Sequence, residues 1–111
     1  MDIRTEKREE VTIVFVKGRM DAVASPEFDR ELNDRMAGGE KTFIIDFAEL
    51  DYISSAGLRS VLTAAKRLKE HGGQLSLASL KKVVREVFDI SGFSSIIPIY
   101  ESVESASAEI S

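Results

Sequence analysis

Thr42-Phe43-Ile44-Ile45-Asp46-Phe47 runs apolar almost to its end, and Tyr52-Ile53-Ser54-Ser55-Ala56-Gly57-Leu58 follows closely behind it. A continuous apolar run of this kind reads as a strand buried on both faces. The second stretch opens a helix predicted over Ser55–Glu70. Leu58, Val61, Leu62, Ala65 and Leu68 form its apolar face, and Arg59, Lys66, Arg67 and Lys69 lie mostly off that face. Gly72-Gly73 stops it. A buried strand that feeds an amphipathic helix implies a crossover to a parallel neighbour.

The same alternation extends outward. Val11–Val16, rich in β-branched residues, reads as a strand that Gly18 ends, and Asp2–Lys7 pairs with it as an antiparallel hairpin across Arg8-Glu9-Glu10. Ser25 is placed to cap the next helix, with Pro26 in its first turn. Phe28, Leu32 and Met36 face the core, and Gly38-Gly39 ends the helix. Downstream, Gln74–Ala78 alternates like a half-buried strand. A helix over Lys81–Ile90 turns Val83, Val84, Val87 and Phe88 inward, and Ser91-Gly92 breaks it. Ile96–Tyr100 reads as a last strand, at an edge because Pro98 donates no hydrogen bond. The tail, Glu101–Ser111, can form a short helix on Val103, Ala106 and Ile110. The expected fold is α/β, a single domain over 1–111 with a mixed, mostly parallel sheet of about five strands and about four helices. Loops at the carboxyl ends of the parallel strands are where such folds place function.

Composition narrows the function. Hydrophobic residues make up 43%, enough for a core without staples, and the chain has no cysteine. Disulfides, thiol catalysis and thiolate metal sites are therefore excluded. The start lacks an apolar signal core, and no apolar run approaches membrane length, so a cytoplasmic protein without membrane insertion is expected. A net charge of −4 argues against a nucleic-acid surface, which needs clustered Lys and Arg.

The serine pair is the leading candidate site. One of Ser54 and Ser55 serves as helix cap, which leaves the other hydroxyl to spare. Gly57 lets backbone or a partner approach closely, and a phosphate on Ser55 would lie near the amino-terminal amides. A hydrolase is disfavoured because Ile53 stands where a nucleophile elbow needs its first glycine. His71 lies at the far end of the helix, about 24 Å away at 1.5 Å per residue, too far to serve as base. Asp21 reads as a turn or capping residue. Asp46 is expected to accept hydrogen bonds from a nearby loop. Asp21, Asp46 and Asp51 are too scattered to argue a metal site. Lys81, Lys82 and Arg85 form a small basic patch of the solvated-face type. No nucleotide phosphate loop is present, and no cofactor is expected.

Three stretches together carry a family resemblance: Gly18-Arg19-Met20-Asp21, Asp51 through Leu58, and Phe88-Asp89-Ile90-Ser91-Gly92-Phe93. In these the chain resembles the STAS family, the sulfate transporter and anti-sigma factor antagonist domains, and especially its free-standing bacterial members. The resemblance implies a non-enzymatic switch. Such an antagonist binds an anti-sigma factor that is a serine kinase, releases a sigma factor for transcription, and is turned off by phosphorylation until a serine phosphatase resets it. The usual acceptor position falls on Ser55. The Asp that often precedes it is Ser54 here, and the hydroxyl that often follows it is Ala56. The resemblance implies a partner surface of Gly18, Asp21, Ala22, Val23, Ser54, Ser55, Ala56, Gly57, Leu58, Arg59 and Ser60 on a monomer. The alternative it leaves is an unphosphorylated scaffold subunit of a stress-signalling complex or an ABC-type lipid transport assembly.

Overall fold

Strand and helix alternate along the chain as the pattern requires. The computed structural model describes residues 1–110. Its five-stranded sheet has the order β1 (Asp2–Arg8), β2 (Val11–Met20), β3 (Thr42–Ile53), β4 (Gln74–Ala78) and β5 (Ile99–Tyr100). β1 and β2 are antiparallel across a tight turn in which Glu9 takes a left-handed conformation (φ 56°). All later pairings are parallel.

Each parallel strand is laid down beside the last in one direction. Right-handed crossovers then put successive helices on the same face. α1 (Ser25–Ala37), α2 (Ser55–Glu70) and α3 (Lys82–Ser91) accordingly share one core with Val14, Val16, Phe43, Ile45, Phe47 and Leu77. α4 (Val103–Ile110) covers the other face, where Val103 and Ala106 pack on Ile13, Ile44 and Ala78. Ile110 lies half-buried against that second core; Ser111, the end of the expected tail helix, lies outside the described residues.

Several boundaries differ from the sequence reading. β2 and β3 both run past their expected ends, and Gly18 does not end β2 but sits inside it with φ 98°. The register slips twice. Phe15 pairs with Asp46 but Lys17 with Glu49, and Gly18 pairs with Leu50 but Arg19 with Tyr52. At the first slip the Asp46 carboxylate accepts the Ala48 N–H at 3.0 Å, so its bond comes from its own strand and not from a loop. These bulges space the buried residues Phe47, Leu50 and Ile53 three apart.

β4 is buried from Leu75 to Ala78 instead of alternating, because α4 covers its second face. α3 begins at Lys82, with Val84 and Phe88 buried, Val87 half-buried and Val83 left 62% exposed. Val83 sits on the flank of the stripe that Val84, Val87 and Phe88 define. The last strand shrinks to Ile99–Tyr100 because Phe93–Ser95 forms a 3-10 turn that leaves Ile96 exposed. Pro98 sits at this edge, its carbonyl accepting the Leu77 N–H at 2.9 Å.

Candidate functional site

β2 and β3 run parallel, so the loops that follow them leave the sheet at the same end. Met20 and Ile53 are register partners there. The Ser54 N–H donates to the Met20 carbonyl at 2.9 Å, which joins the two loops directly. Gly57 makes the junction possible. A Cβ at this position would lie 2.5 Å from the Met20 carbonyl oxygen and 2.9 Å from Ile53 Cγ1. Backbone cannot give way as a flexible side chain can, so the close approach of α2 to the end of β2 requires glycine.

The two serines have different tasks. Ser54 is extended (φ −89°, ψ 174°), and its Oγ accepts the Gly57 N–H at 3.1 Å while its carbonyl accepts the Leu58 N–H at 2.8 Å. This is the helix cap. Ser55 is the first helical residue, exposed, and its hydroxyl has no hydrogen-bond partner among the described residues. The first turn of α2 carries no acidic residue. The positive end of the helix dipole is thus uncompensated beside a free hydroxyl.

The neighbouring loop is closed by Asp21, not by Ser25. The Asp21 carboxylate accepts N–H bonds from Val23 (3.1 Å) and Ala24 (2.9 Å), and the Ser25 hydroxyl donates to the Asp21 carbonyl at 2.6 Å. Ser25 therefore gives its proton to the turn instead of accepting from the helix. This fold of the loop leaves Val23 90% exposed and Ala22 exposed.

The structure thus gathers Asp21, Ala22, Val23, Ser54, Ser55, Ala56 and Arg59 at one end, where Ala56 is half-buried and Arg59 exposed. Gly57, Leu58 and Ser60 are buried and support this end instead of presenting a surface. Gly18 lies half-buried in β2 opposite the second bulge of β3, two residues short of the loop. Ser60 also lines a groove of about 410 Å³ between α1 and α2, together with Ala22, Ala56 and Arg59. Farther along, Arg67 bridges this groove to Asn33 at 2.6 Å.

Residues that single-residue reading overlooks sit beside the serines. The Arg19 guanidinium lies 4.2 Å from the centre of the Tyr52 ring, its register partner across β2 and β3. Lys81 pairs with Asp51, tying the start of α3 to the end of β3, and Arg85 pairs with Asp89 at 3.2 Å. The hydrogen bond from Lys81, reinforced by its charge, holds the Asp51 carboxyl below the ordinary carboxylate range. The basic patch is therefore partly spent on internal ion pairs. The signal for these contacts is pairwise, since it needs the bulged register to align Arg19 with Tyr52. Among the described residues, no three carboxylate or histidine side chains are placed to hold a metal ion. His71 lies exposed at the far end of α2, with Nδ1 2.8 Å from the Arg67 carbonyl oxygen. No helix among the described residues is long and apolar enough to cross a membrane.

Comparison with known proteins follows the same outline. The sequence model of the STAS domain matches residues 2–106. A Bordetella bronchiseptica protein, described provisionally as the anti-sigma factor antagonist BtrV, is 42% identical over 108 residues, covering 97% of this chain and 93% of its own. A solved Thermotoga maritima structure, also described provisionally as an anti-sigma factor antagonist, superposes with a TM-score of 0.93 at 18% identity, covering 96% of this chain and 92% of the other. The phosphorylated form of the Bacillus cell fate determinant SpoIIAA superposes with a TM-score of 0.78 at 21% identity, covering 99% and 100%.

Proposed function

The chain belongs to the STAS domain family, and from that premise we propose that it is an anti-sigma factor antagonist, acting as one domain, whose partner binding is controlled at Ser55. The partner is an anti-sigma factor with serine kinase activity, and a serine phosphatase reverses the modification. The reading places the protein in the cytoplasm as a monomer, with a binding role and no catalytic one. The observation that carries it is the division of labour at the head of α2. Ser54 caps the helix, which leaves the Ser55 hydroxyl exposed, unbonded and beside an uncompensated dipole.

The chemistry needs nothing further from this chain. The kinase transfers the γ-phosphoryl of ATP to Ser55 Oγ; the bond to the ADP oxygen breaks, and the hydroxyl proton leaves to the kinase. The product carries about −1.5 to −2 charge at neutral pH. Set among Val23, Ala56 and Arg59, that charge opposes docking of an acidic surface and adds a desolvation cost.

Incubation with the cognate kinase and ATP, followed by peptide mass spectrometry, tests the site. The expected result is a single phosphate on Ser55. A phosphate mapped elsewhere would reject the assignment. In parallel, Ser55→Asp is expected to weaken partner binding at least tenfold in calorimetry, roughly the effect of one unpaired charge in an interface. Wild-type affinity in that variant would reject control by charge.

A further inference from the structure

Arg59 stands one turn beyond Ser55 on α2. Residues four apart on a helix are surface neighbours, about 5–6 Å between Cβ atoms and about 40° apart around the axis. Helical side chains tilt toward the amino terminus, so the patch covered by Arg59 lies over the turn that contains Ser55. An anion at position i with a cation at i+4 is also the favourable order of such a pair.

The cations nearby are unequal in availability. Arg19 lies over Tyr52, Lys81 is paired with Asp51, and Lys17 lies 3.6 Å from Glu49. Arg67, two turns farther on than Arg59, is held by Asn33. Arg59 is exposed, and its guanidinium has no ion pair or hydrogen bond among the described residues. It lines the α1–α2 groove along with Ala56, on the side of the helix next to Ser55. Its long stem can reach the groove rim or the head of the helix.

We infer that Arg59 is the internal counter-ion of phosphorylated Ser55: once the phosphate is attached, the guanidinium turns from the groove rim to the phosphate oxygens. Modification then changes the docking face twice. It adds a dianion, and it withdraws an uncommitted cation that an acidic partner meets in the unmodified form. The guanidinium fork suits this task, because it binds two phosphate oxygens at once where an ammonium offers a point charge. This inference rests on the reading of Ser55 as the modified residue.

The test needs no kinase and no partner, so it stands or falls separately from the proposed function. Phosphoserine is installed at position 55 during translation in the full chain, and its second ionisation, ordinarily near pH 6, is followed by phosphorus NMR. Arg59→Gln keeps the helix-forming stem and removes the charge. The expected result is a second pKa that rises by about 0.3 of a pH unit or more in Arg59→Gln, the size of an i,i+4 pair. Arg59→Lys recovers part of the difference, Arg67→Gln leaves the value unchanged, and added salt narrows the gap. Circular dichroism checks that each variant is folded. Equal values in wild type and Arg59→Gln overturn the inference. So does an equal rise in Arg67→Gln, which would mark a general effect of net charge.

Discussion

Ser54 and Ser55 differ by one position and by everything that surrounds their oxygens. The Ser54 oxygen accepts an amide that would otherwise be an orphan of the helix start, and the Ser55 oxygen meets no partner among the described residues. Their substitutions therefore separate stability from control. Ser54→Ala loses a cap and is expected to cost about 1 kcal/mol. Ser55→Ala, at an exposed and unbonded position, is expected to stay within about 0.5 kcal/mol of wild type while removing the acceptor. Urea denaturation of the two variants measures both. A large loss in Ser55→Ala with none in Ser54→Ala would exchange the roles. The sequence indicates that one serine of the pair caps. It does not say which, because the choice depends on where the first helical turn begins, and the Ser54 N–H bond to Met20 settles that through space.

The elements were legible wherever one periodicity held. Ser55–Glu70 is a helix at the bounds its apolar spacing predicts, and the parallel pairing, though not the strand order, follows from alternation. The pattern blurs where two periodicities overlap. In β3 the bulges carry the buried positions from Phe47 to Leu50 to Ile53, which breaks the alternation that marks a strand and hides its last six residues. β4 is obscured for the opposite reason. A helix 25 residues and more downstream covers the second face, and no local pattern announces it. Among the described residues the cover is imperfect at one buried side-chain atom. Ser76, opposite Ile44 on the α4 side, is 4% exposed, and its hydroxyl has no partner among the described residues. An unsatisfied buried hydroxyl costs about 1–3 kcal/mol, and its removal leaves a methyl of nearly the same shape. Ser76→Ala is therefore expected to raise stability by about 1 kcal/mol in urea or thermal unfolding. An unchanged or lowered midpoint would show that the hydroxyl is satisfied in solution.

Across the full fold, the site is both exposed and rigidly mounted. Its two loops are bonded to each other through Ser54 and Met20, wedged together at Gly57, and footed on a core that contains Leu58 and Val61. The third loop is fastened by Lys81 to Asp51. A phosphate on Ser55 enters solvent and needs no buried group to move. An electrostatic change at a surface decays within about 8–10 Å at ordinary salt. Control by modification should then act on the docking face alone, with the fold unchanged. Amide chemical shifts of the chain carrying phosphoserine at position 55, compared with the unmodified chain, are expected to move in Asp21–Ala24 and in the first two turns of α2. Those of β1, β4 and α4 should stay in place. Broad shifts in α4, on the opposite face of the sheet, would reveal a relay through the core and replace surface charge with conformational change as the basis of the switch.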